Sequence, residues 1–374
     1  MKDQEPKKSF FQRNMKLFMH NEHRMNKHYF WKSIVLIVVM AFFVVGAYGF
    51  RIYSQASDAL GNSYKPISSN TSQTIKQRKP VTILLLGVDT GGEGRKDRGN
   101  SDTMILATVN PKTKKTTLVS IPRDTLAEIY GVKHHKRIIQ KINSAYNLGA
   151  APAAVKTVEK LVNVKIDNYI TLDFHSLPKI VDAVGGIEVD APFSFNYDYC
   201  NFKKGKQTIN GKESLAYSRM RYEDPEGDYG RQQRQRQVIM AIIKKSISLK
   251  TLPNTQKVLN SISNSMSTDL SIDDVTALMQ SYRNASQNMS SDHLQGYGTM
   301  INGVSYEIAP TKELQRVSNK LRTSVDLKKE KLDNEETKQN HLNVTRNDFS
   351  FNTKDLQNYI IYGSNISSKY LIKN

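Results

Sequence analysis

The sequence predicts an α/β domain that follows a single N-terminal transmembrane helix. One long uncharged apolar run near the N-terminus has the length of a membrane span. Beyond about residue 80, short apolar runs of β type alternate with segments of helical periodicity, which is the pattern of an α/β fold. With 374 residues, 38% of them hydrophobic, the chain is long enough to bury a large core.

The apolar run covers residues 33–50 and reads SIVLIVVMAFFVVGAYGF between Lys32 and Arg51. Eighteen residues at ~1.5 Å each span roughly 27 Å, close to the hydrocarbon thickness of a bilayer. Three aromatic residues at 29–31 precede the run, as an interfacial belt would. The alternatives are a cleaved signal peptide, which normally has a shorter apolar core and leader, and a buried core helix.

Charge on either side of the run predicts the topology. The leader, residues 1–32, has eight Lys and Arg against three Asp and Glu, so the positive-inside rule places it in the cytoplasm. Residues 51–79 are rich in Ser, Asn, Thr and Gln and predict an extracellular linker. We therefore expect a single-pass cell-membrane protein with its N-terminus inside and its large domain outside.

Residues 80–322 carry the predicted folded domain. Strands are predicted at 81–89, 103–109, 116–121, 168–172 and 187–189. Helices are predicted at 151–162, at 174–184, from Gly211 onward and at 231–248, with further helical pieces up to residue 321. Tight connections make the first three strands an antiparallel meander. The polar, Asn-rich residues 323–374 predict a mobile tail with a helical piece near 356–361.

The meander brings two aspartates to one edge of the sheet. Asp89 ends the first strand, Asp102 begins the second, and Arg123 and Asp124 follow the third. Two carboxylates beside an arginine and a Gly-rich loop suit a divalent cation that bridges to phosphate oxygens. The alternative is that both aspartates are ordinary loop and turn residues.

A cluster of arginines surrounds the start of a predicted helix. Arg219 and Arg221 lie two apart, so in an extended segment they would point the same way. On the helix that begins near Asp228, one face carries five residues in order: Arg231, Arg234, Gln235, Val238 and Ile242. A helix start rich in arginine favours a bound phosphate, and the apolar continuation of the face argues against a merely solvated surface.

Charge and cysteine content narrow the function classes. The formal net charge of +19 implies an anionic partner, either nucleic acid, anionic lipid or a phosphate-rich polymer. We find no helix-turn-helix, zinc-finger or aromatic-basic RNA pattern, so nucleic acid is not expected. The single cysteine, Cys200, excludes an intramolecular disulfide and a Cys-based metal site.

Six motifs in order resemble the LytR–CpsA–Psr (LCP) family of bacterial cell-wall proteins. They are ILLLGVDTG (83–91), NSDTMIL (100–106), VSIPRDT (119–125), KINSAYNLG (141–149), VDAVGGIEVD (181–190) and SRMRYEDPEGDYGRQQRQRQV (218–238). The resemblance covers about residues 79–321, behind a single N-terminal span. It implies a central mixed, largely antiparallel β-sheet flanked by helices, with a hydrophobic pocket for a lipid.

The resemblance also implies an activity. Family members transfer an anionic glycopolymer, such as teichoic acid or capsular polysaccharide, from a polyprenyl-pyrophosphate carrier to peptidoglycan. By motif match, Asp89 and Asp102 would hold Mg²⁺ (or Mn²⁺) on the pyrophosphate. The pyrophosphate oxygens would be bound by Arg123, Arg219, Arg221, Arg231, Arg234 and Gln235. Where many members carry an arginine two residues before the second aspartate, this chain has Asn100, and nearby Arg98 is expected to substitute.

Two other functions fit the same residues. A pyrophosphatase acting on the same lipid-linked glycan would need an identical phosphate site, with water in place of the sugar hydroxyl. A membrane-bound transcriptional attenuator would use the high charge differently, and it would need the basic domain on the cytoplasmic side. Asp89 and Asp102 are both candidates for the general base, and the polymer itself is left open.

Overall fold

A computed structural model describes residues 40, 54, 63–67, 71–88, 98–133, 137–246, 266–353 and 357–363. The chain divides into two compact units, Met1–Gln55 and Ala56–Asn374. The predicted span at 33–50 lies outside the described residues except for Met40, which is helical. Among the residues that are described, no helix is both long enough and apolar enough to cross a membrane.

The second unit contains fourteen strands and eight α-helices among its described residues. The strands are β1 (Val81–Val88), β2 (Ser101–Asn110), β3 (Lys115–Ser120), β4 (Leu126–Glu128), β5 (Ile139–Lys141), β6 (Asn168–Asp173), β7 (Ile187–Ala191), β8 (Phe195–Tyr197), β9 (Cys200–Phe202), β10 (Gly205–Ile209), β11 (Met266–Thr268), β12 (Met289–His293), β13 (Tyr297–Ile301) and β14 (Val304–Ile308). The helices are α1 (Thr71–Lys76), α2 (Ser144–Val162), α3 (Leu177–Ala183), α4 (Gly211–Arg219), α5 (Asp228–Ser246), α6 (Ile272–Ser281), α7 (Thr311–Ser324) and α8 (Glu335–Arg346).

The central sheet has six strands in the order β11-β6-β1-β2-β3-β12. The pairs β1–β2, β2–β3 and β6–β11 are antiparallel, whereas β1–β6 and β3–β12 are parallel. The predicted meander and the mixed central sheet are therefore confirmed. The helical pieces predicted up to residue 321 are present as α6 and α7, but strands β12 to β14, which the sequence did not predict, lie between them. Those strands are short and carry polar residues at many positions, so no apolar run marks them.

Helices cover both faces of the central sheet. Leu84 and Leu86 face a core built with α2 and α7, whereas Ile83 and Ile105 face a second core built with α1 and α6. Because both faces are buried, the strands read as continuous apolar runs, and this is why the sequence shows them clearly. Gly87 allows a close approach on one face, since a Cβ there would lie 2.7 Å from the Phe174 ring.

A separate core supports the arginine-rich helices. It joins α3, α4, β7 and β9 to Val238 of α5. The rings of Phe195 and Phe202 stack at 4.7 Å, and Tyr217 of α4 lies 5.3 Å from Phe202. Val238 is buried and Ile242 is partly buried against this core, as the predicted helix face requires.

The prediction of a mobile tail at residues 323–374 is wrong for the part that is described. Residues 335–346 form α8, which begins with a capping box at Asn334, and the segment 357–363 is not helical. Phe349 and Tyr359 are buried in a core with β4, β5, β13 and β14. The segment therefore belongs to the folded domain.

Side-chain amides explain how so polar a segment folds. Gln339 exchanges two hydrogen bonds of 2.9 Å with the backbone of Tyr362, and Asn343 exchanges two of 2.8 Å with the backbone of Ile360. Asn340 donates to the Ala309 carbonyl at 2.9 Å and accepts from the Tyr359 hydroxyl at 2.8 Å. These buried amides replace a sheet ladder, so low hydrophobicity does not mean disorder here.

Candidate functional site

The starts and ends of the meander strands bring Asp102 and Arg123 together. Asp102 is the second residue of β2, and Arg123 follows β3 by three residues. Nη1 of Arg123 lies 3.1 Å from Oδ1 of Asp102, and both side chains are partly exposed. The structure thus brings together two predicted site residues. Asp89, the third, lies outside the described residues.

Backbone hydrogen bonds to Asn143 fix this edge. The Asn143 N–H donates to the Arg123 carbonyl at 3.2 Å, and the Asn143 carbonyl accepts from Ser101 N at 3.3 Å. Ser101 is the neighbour of Asp102 in β2, so one residue ties the aspartate strand to the arginine turn. Thr125 closes that turn by donating its hydroxyl to the Pro122 carbonyl at 2.7 Å. These hydrogen bonds explain why the motifs KINSAYNLG (141–149) and VSIPRDT (119–125) contribute to one site.

Two further charges complete the Arg123 side of the site. Asp124 lies 3.6 Å from Nε of Arg123, and its other oxygen lies 2.9 Å from Nζ of Lys141. Burial by itself would lower the pKa of Arg123, but Asp102 and Asp124 together raise it above its ordinary value. The guanidinium therefore remains charged.

The start of α5 supplies the second group of charges. Nη2 of Arg231 lies 2.6 Å from Oδ1 of Asp228, and Nε of Arg221 lies 3.7 Å from the same oxygen. Two guanidinium groups thus share one carboxylate at a helix N-terminus. Asp228 also suits this place because the helix dipole favours a negative charge there.

The two groups of charges interact. Burial lowers the pKa of Arg231, Asp228 opposes that shift, and the nearby positive charges of Arg123 and Arg221 lower it further. Nε of Arg231 forms no hydrogen bond among the described residues, and Nε of Arg123 has the Asp124 carboxylate at 3.6 Å, beyond hydrogen-bond distance. Two guanidinium groups that repel each other and keep part of their surface exposed are suited to an anion that accepts from both. We call Asp102, Arg123, Arg221, Asp228 and Arg231 the ionic cluster.

Arg219 and Arg98 lie outside the ionic cluster. Arg219 is the last residue of α4 and is exposed, so it does not share the predicted extended segment with Arg221. Within the described part of the chain Arg219 forms no ion pair, which leaves its guanidinium available to a ligand. Exposed Arg98 donates to the Asn147 carbonyl at 3.3 Å.

The placement of Arg234 contradicts its predicted pyrophosphate contact. Its side chain is fully buried, with 0% of its surface exposed. Nη1 pairs with the Asp224 carboxylate, Nε donates to the Tyr217 carbonyl at 2.9 Å, and Nη2 donates to the Met220 carbonyl. These partners belong to α4 and the turn after it, the segment that carries Arg219 and Arg221. Arg234 therefore fastens that segment to α5, because its buried charge needs protein partners.

Gln235 and Gly230 belong to the same contact. Gln235 is buried, and its amide nitrogen lies 3.5 Å from the Ser218 carbonyl; the structure does not bring it into the ionic cluster. At Gly230 a Cβ would lie 2.0 Å from an oxygen of Asp224. Glycine is therefore required there for Asp224 to reach Arg234.

Asp228 and Lys141 belong to the site although neither is among the residues predicted from the sequence. Asp228 was visible as the first residue of an arginine-rich helix, but its pairing with Arg221 depends on how the preceding turn folds. Lys141 lies in a short strand that pairs with β4, and no local pattern links it to Asp124. The whole arrangement can bind a polyanion of phosphate type and offset the charge that develops on it.

Comparisons with known proteins identify the family. The LytR_cpsA_psr family model matches residues 48–323. A relative from Enterococcus faecalis, named polyisoprenyl-teichoic acid–peptidoglycan teichoic acid transferase TagU, is 42% identical over 294 residues, which are 78% of this chain and 96% of the relative.

Two solved structures are similar in fold as well. A protein of Streptococcus agalactiae is 38% identical with a TM-score of 0.64, over 72% of this chain and 94% of that one. TagT bound to LI-WTA is 27% identical with a TM-score of 0.55, over 67% of this chain and 92% of that one. The chain belongs to the LytR_cpsA_psr family.

Proposed function

We propose that this protein transfers an anionic glycopolymer from a polyprenyl-pyrophosphate carrier to peptidoglycan. The observation that carries the proposal is the ionic cluster, in which the partly exposed guanidinium groups of Arg123, Arg221 and Arg231 lie near one another. A pyrophosphate would accept from these groups and relieve the repulsion between them. Teichoic acid is the favoured polymer, because the similar transferase of Enterococcus faecalis is named for it.

The residues divide the work of phosphoryl transfer. Arg123, Arg221 and Arg231 bind the pyrophosphate oxygens and offset their charge, and exposed Arg219 extends this set. The acceptor hydroxyl oxygen forms a bond to the phosphorus that carries the polymer. The bond from that phosphorus to the bridging oxygen breaks, and polyprenyl phosphate leaves with the electron pair. The hydroxyl proton passes to a carboxylate, for which Asp89 and Asp102 are the candidates.

A divalent cation fits this site. Asp102 is a partly exposed carboxylate beside arginines, and Mg²⁺ takes one or two such ligands and completes its shell with water and phosphate. Asp89 and Asp102 would hold Mg²⁺ (or Mn²⁺). When bound, the ion would neutralise charge on the pyrophosphate.

A membrane location accounts for the lipid carrier. The uncharged run at 33–50 is proposed as a span that places the large domain on the outer face of the cell membrane. A reporter fused after Asn374 should then be active only outside the cytoplasm. A cytoplasmic signal would contradict this topology and would revive the regulator hypothesis.

A reconstituted transfer assay tests the function. The full chain in detergent should link polymer to peptidoglycan from a lipid-pyrophosphate donor, and EDTA should abolish the reaction until Mg²⁺ is restored. Arg221→Ala and Arg231→Ala should each reduce transfer about a hundredfold or more, since each removes a charge that faces the phosphates. Exposed Arg283, in the short 3-10 helix Arg283–Gln287, serves as the matched control, and Arg283→Ala should transfer normally.

The products separate transfer from hydrolysis. Polymer bound to peptidoglycan indicates a transferase, whereas free polymer phosphate in the presence of acceptor indicates a pyrophosphatase. Full transfer by Arg221→Ala and Arg231→Ala would contradict the assignment of the ionic cluster as the phosphate site.

A further inference from the structure

A cleft begins at Tyr229, the residue after Asp228 of the ionic cluster, and leads towards the C-terminal segment. Its near part has a volume of about 480 Å³ and begins at Tyr229 and Glu307. Its far part has a volume of about 1030 Å³ and reaches Phe351 and α8. Tyr297 and Phe349 line both parts, so the two hollows adjoin.

Two residues at the near end of the cleft, Tyr229 of α5 and Glu307 of β14, lie next to residues of the site. Tyr229 follows Asp228 at the start of α5; its hydroxyl accepts from Gly296 N at 2.7 Å and donates to Glu307 at 3.1 Å. The Glu307 N–H donates to the carbonyl of Asp124 at 2.9 Å. A molecule in the cleft would therefore approach the phosphates from the side of Tyr229.

The walls combine aromatic rings with polar side chains. The ring of Tyr297, whose residue is 37% exposed, lies 5.6 Å from Phe351, and Phe351 lies 5.0 Å from Phe349. Exposed Gln295 and Asn352 stand beside these rings. Aromatic faces bind the apolar C–H faces of sugars, and amides pair with hydroxyl and acetamido groups through donors and acceptors alike.

Charge selects among the candidate occupants. The described residues that line the near part include no lysine or arginine, and Glu307 contributes a carboxylate, whereas Lys312 and Arg316 line the far part. A polyphosphate polymer would be repelled by the near part, and a lipid tail would leave the polar walls unpaired. Burial raises the pKa of Glu307 from its ordinary value. A neutral, hydroxyl-rich chain fits the near part best.

We infer that this cleft is the acceptor subsite and binds the N-acetylated glycan strand of peptidoglycan. The inference rests on the proposed function and adds the surface that presents the acceptor hydroxyl to the phosphates. It also assigns a binding role to the folded C-terminal segment. Phe349 and Phe351 belong to this segment and lie beyond residue 323, where the family match ends.

Direct binding tests the inference without catalysis. The probe is a fluorescently labelled glycan strand, prepared from peptidoglycan with its stem peptides and teichoic acid removed, and the full chain is titrated in detergent without donor. Tyr297→Ala and Phe351→Ala should weaken the Kd about tenfold each, as expected for loss of an aromatic stacking surface. Tyr297→Trp keeps a ring and should bind within about twofold of the parent. Tyr199→Ala, which removes a tyrosine that is 98% exposed in the turn between β8 and β9, should not change the Kd.

Each outcome is decisive. An unchanged Kd for the glycan strand in Tyr297→Ala and Phe351→Ala would overturn the inference. So would variants that lose binding to lipid-free teichoic acid but keep binding to the glycan strand. Thermal melting shows whether each variant is folded. If Tyr297→Ala does not fold, Phe351→Ala and Tyr297→Trp still test the inference. Loss of glycan binding in Tyr297→Ala supports the subsite even if Arg221→Ala still transfers polymer. That pair of results would overturn only the assignment of the ionic cluster as the phosphate site. Glycan binding by a parent chain that transfers no polymer would overturn the proposed function and leave the subsite standing, so the two failures are distinguishable.

Discussion

Arg231 and Arg234 lie three residues apart on α5 and have opposite tasks. Arg231 keeps a buried Nε without an acceptor among the described residues and shares Asp228 with Arg221. Arg234 is enclosed by Asp224 and by the carbonyl groups of Tyr217 and Met220. The first is arranged for a ligand, and the second holds the segment on which Arg221 is carried.

The buried pair of Asp224 and Arg234 gives a prediction for single residues. Asp224→Ala should lower the free energy of unfolding by about 3–5 kcal/mol, because it leaves a guanidinium buried without its counter-charge. Denaturant unfolding of the full chain in detergent measures this loss. Gly230→Ala should have a similar effect, since its Cβ would displace Asp224.

The double variant separates stability from positioning. Asp224→Ala with Arg234→Met removes both charges, so it should recover much of the stability while polymer transfer stays low. Normal transfer by this double variant would show that the pair does not position Arg221.

At the scale of elements, α8 shows how a hydrogen-bonded helix can dock without an apolar stripe. Three of its four buried residues, Gln339, Asn340 and Asn343, are amides, and each bonds to backbone or to Tyr359. Composition therefore predicted disorder, because hydropathy counts these residues as solvated. By contrast, β1 to β3 and α5 were predictable, since apolar runs and one helix face are local signals.

The contact of α8 with β4 gives a pH prediction. An oxygen of Glu336 accepts from Glu128 N at 2.9 Å, and burial raises the pKa of Glu336 to about 7. The carboxylates of Glu128 and Glu335 raise the pKa further. The folded protein holds the Glu336 proton more tightly than the unfolded chain does. The contribution of protonated Glu336 to folding stability is therefore complete below the ordinary pKa of 4.5, and it is lost as pH rises through about 7.

Replacing Glu336 tests this dependence. Glu336→Gln keeps an oxygen for Glu128 N but cannot ionise, so its Tm relative to the parent should be higher at about pH 8 than at about pH 5. Glu330→Gln, at a side chain that is 60% exposed, is the control. If both variants shift equally at the two pH values, Glu336 does not titrate in this range.

At the scale of the folded unit, the site is assembled from motifs distant in sequence. The strand that carries Asp102, the turn that carries Arg123 and the helix that carries Arg231 converge because the meander and the core under α5 fix their ends. Spacing alone predicted the aspartate edge and the arginine helix separately. Spacing could not predict that Arg234 is the buried arginine, because its partner Asp224 lies in a loop with no periodicity.

The C-terminal segment gives the prediction for the whole chain. A chain that ends at Val325 loses buried Leu332, Phe349 and Tyr359, each of which contributes ~1.5–3 kcal/mol by burial. Its free energy of unfolding should therefore fall by roughly 5 kcal/mol or more. A chain that ends at Gly363 keeps every described contact of the segment and should unfold like the parent. Equal unfolding curves for the chain ending at Val325 and the parent would show that the segment is a tail after all, and the acceptor cleft would then lose its outer wall.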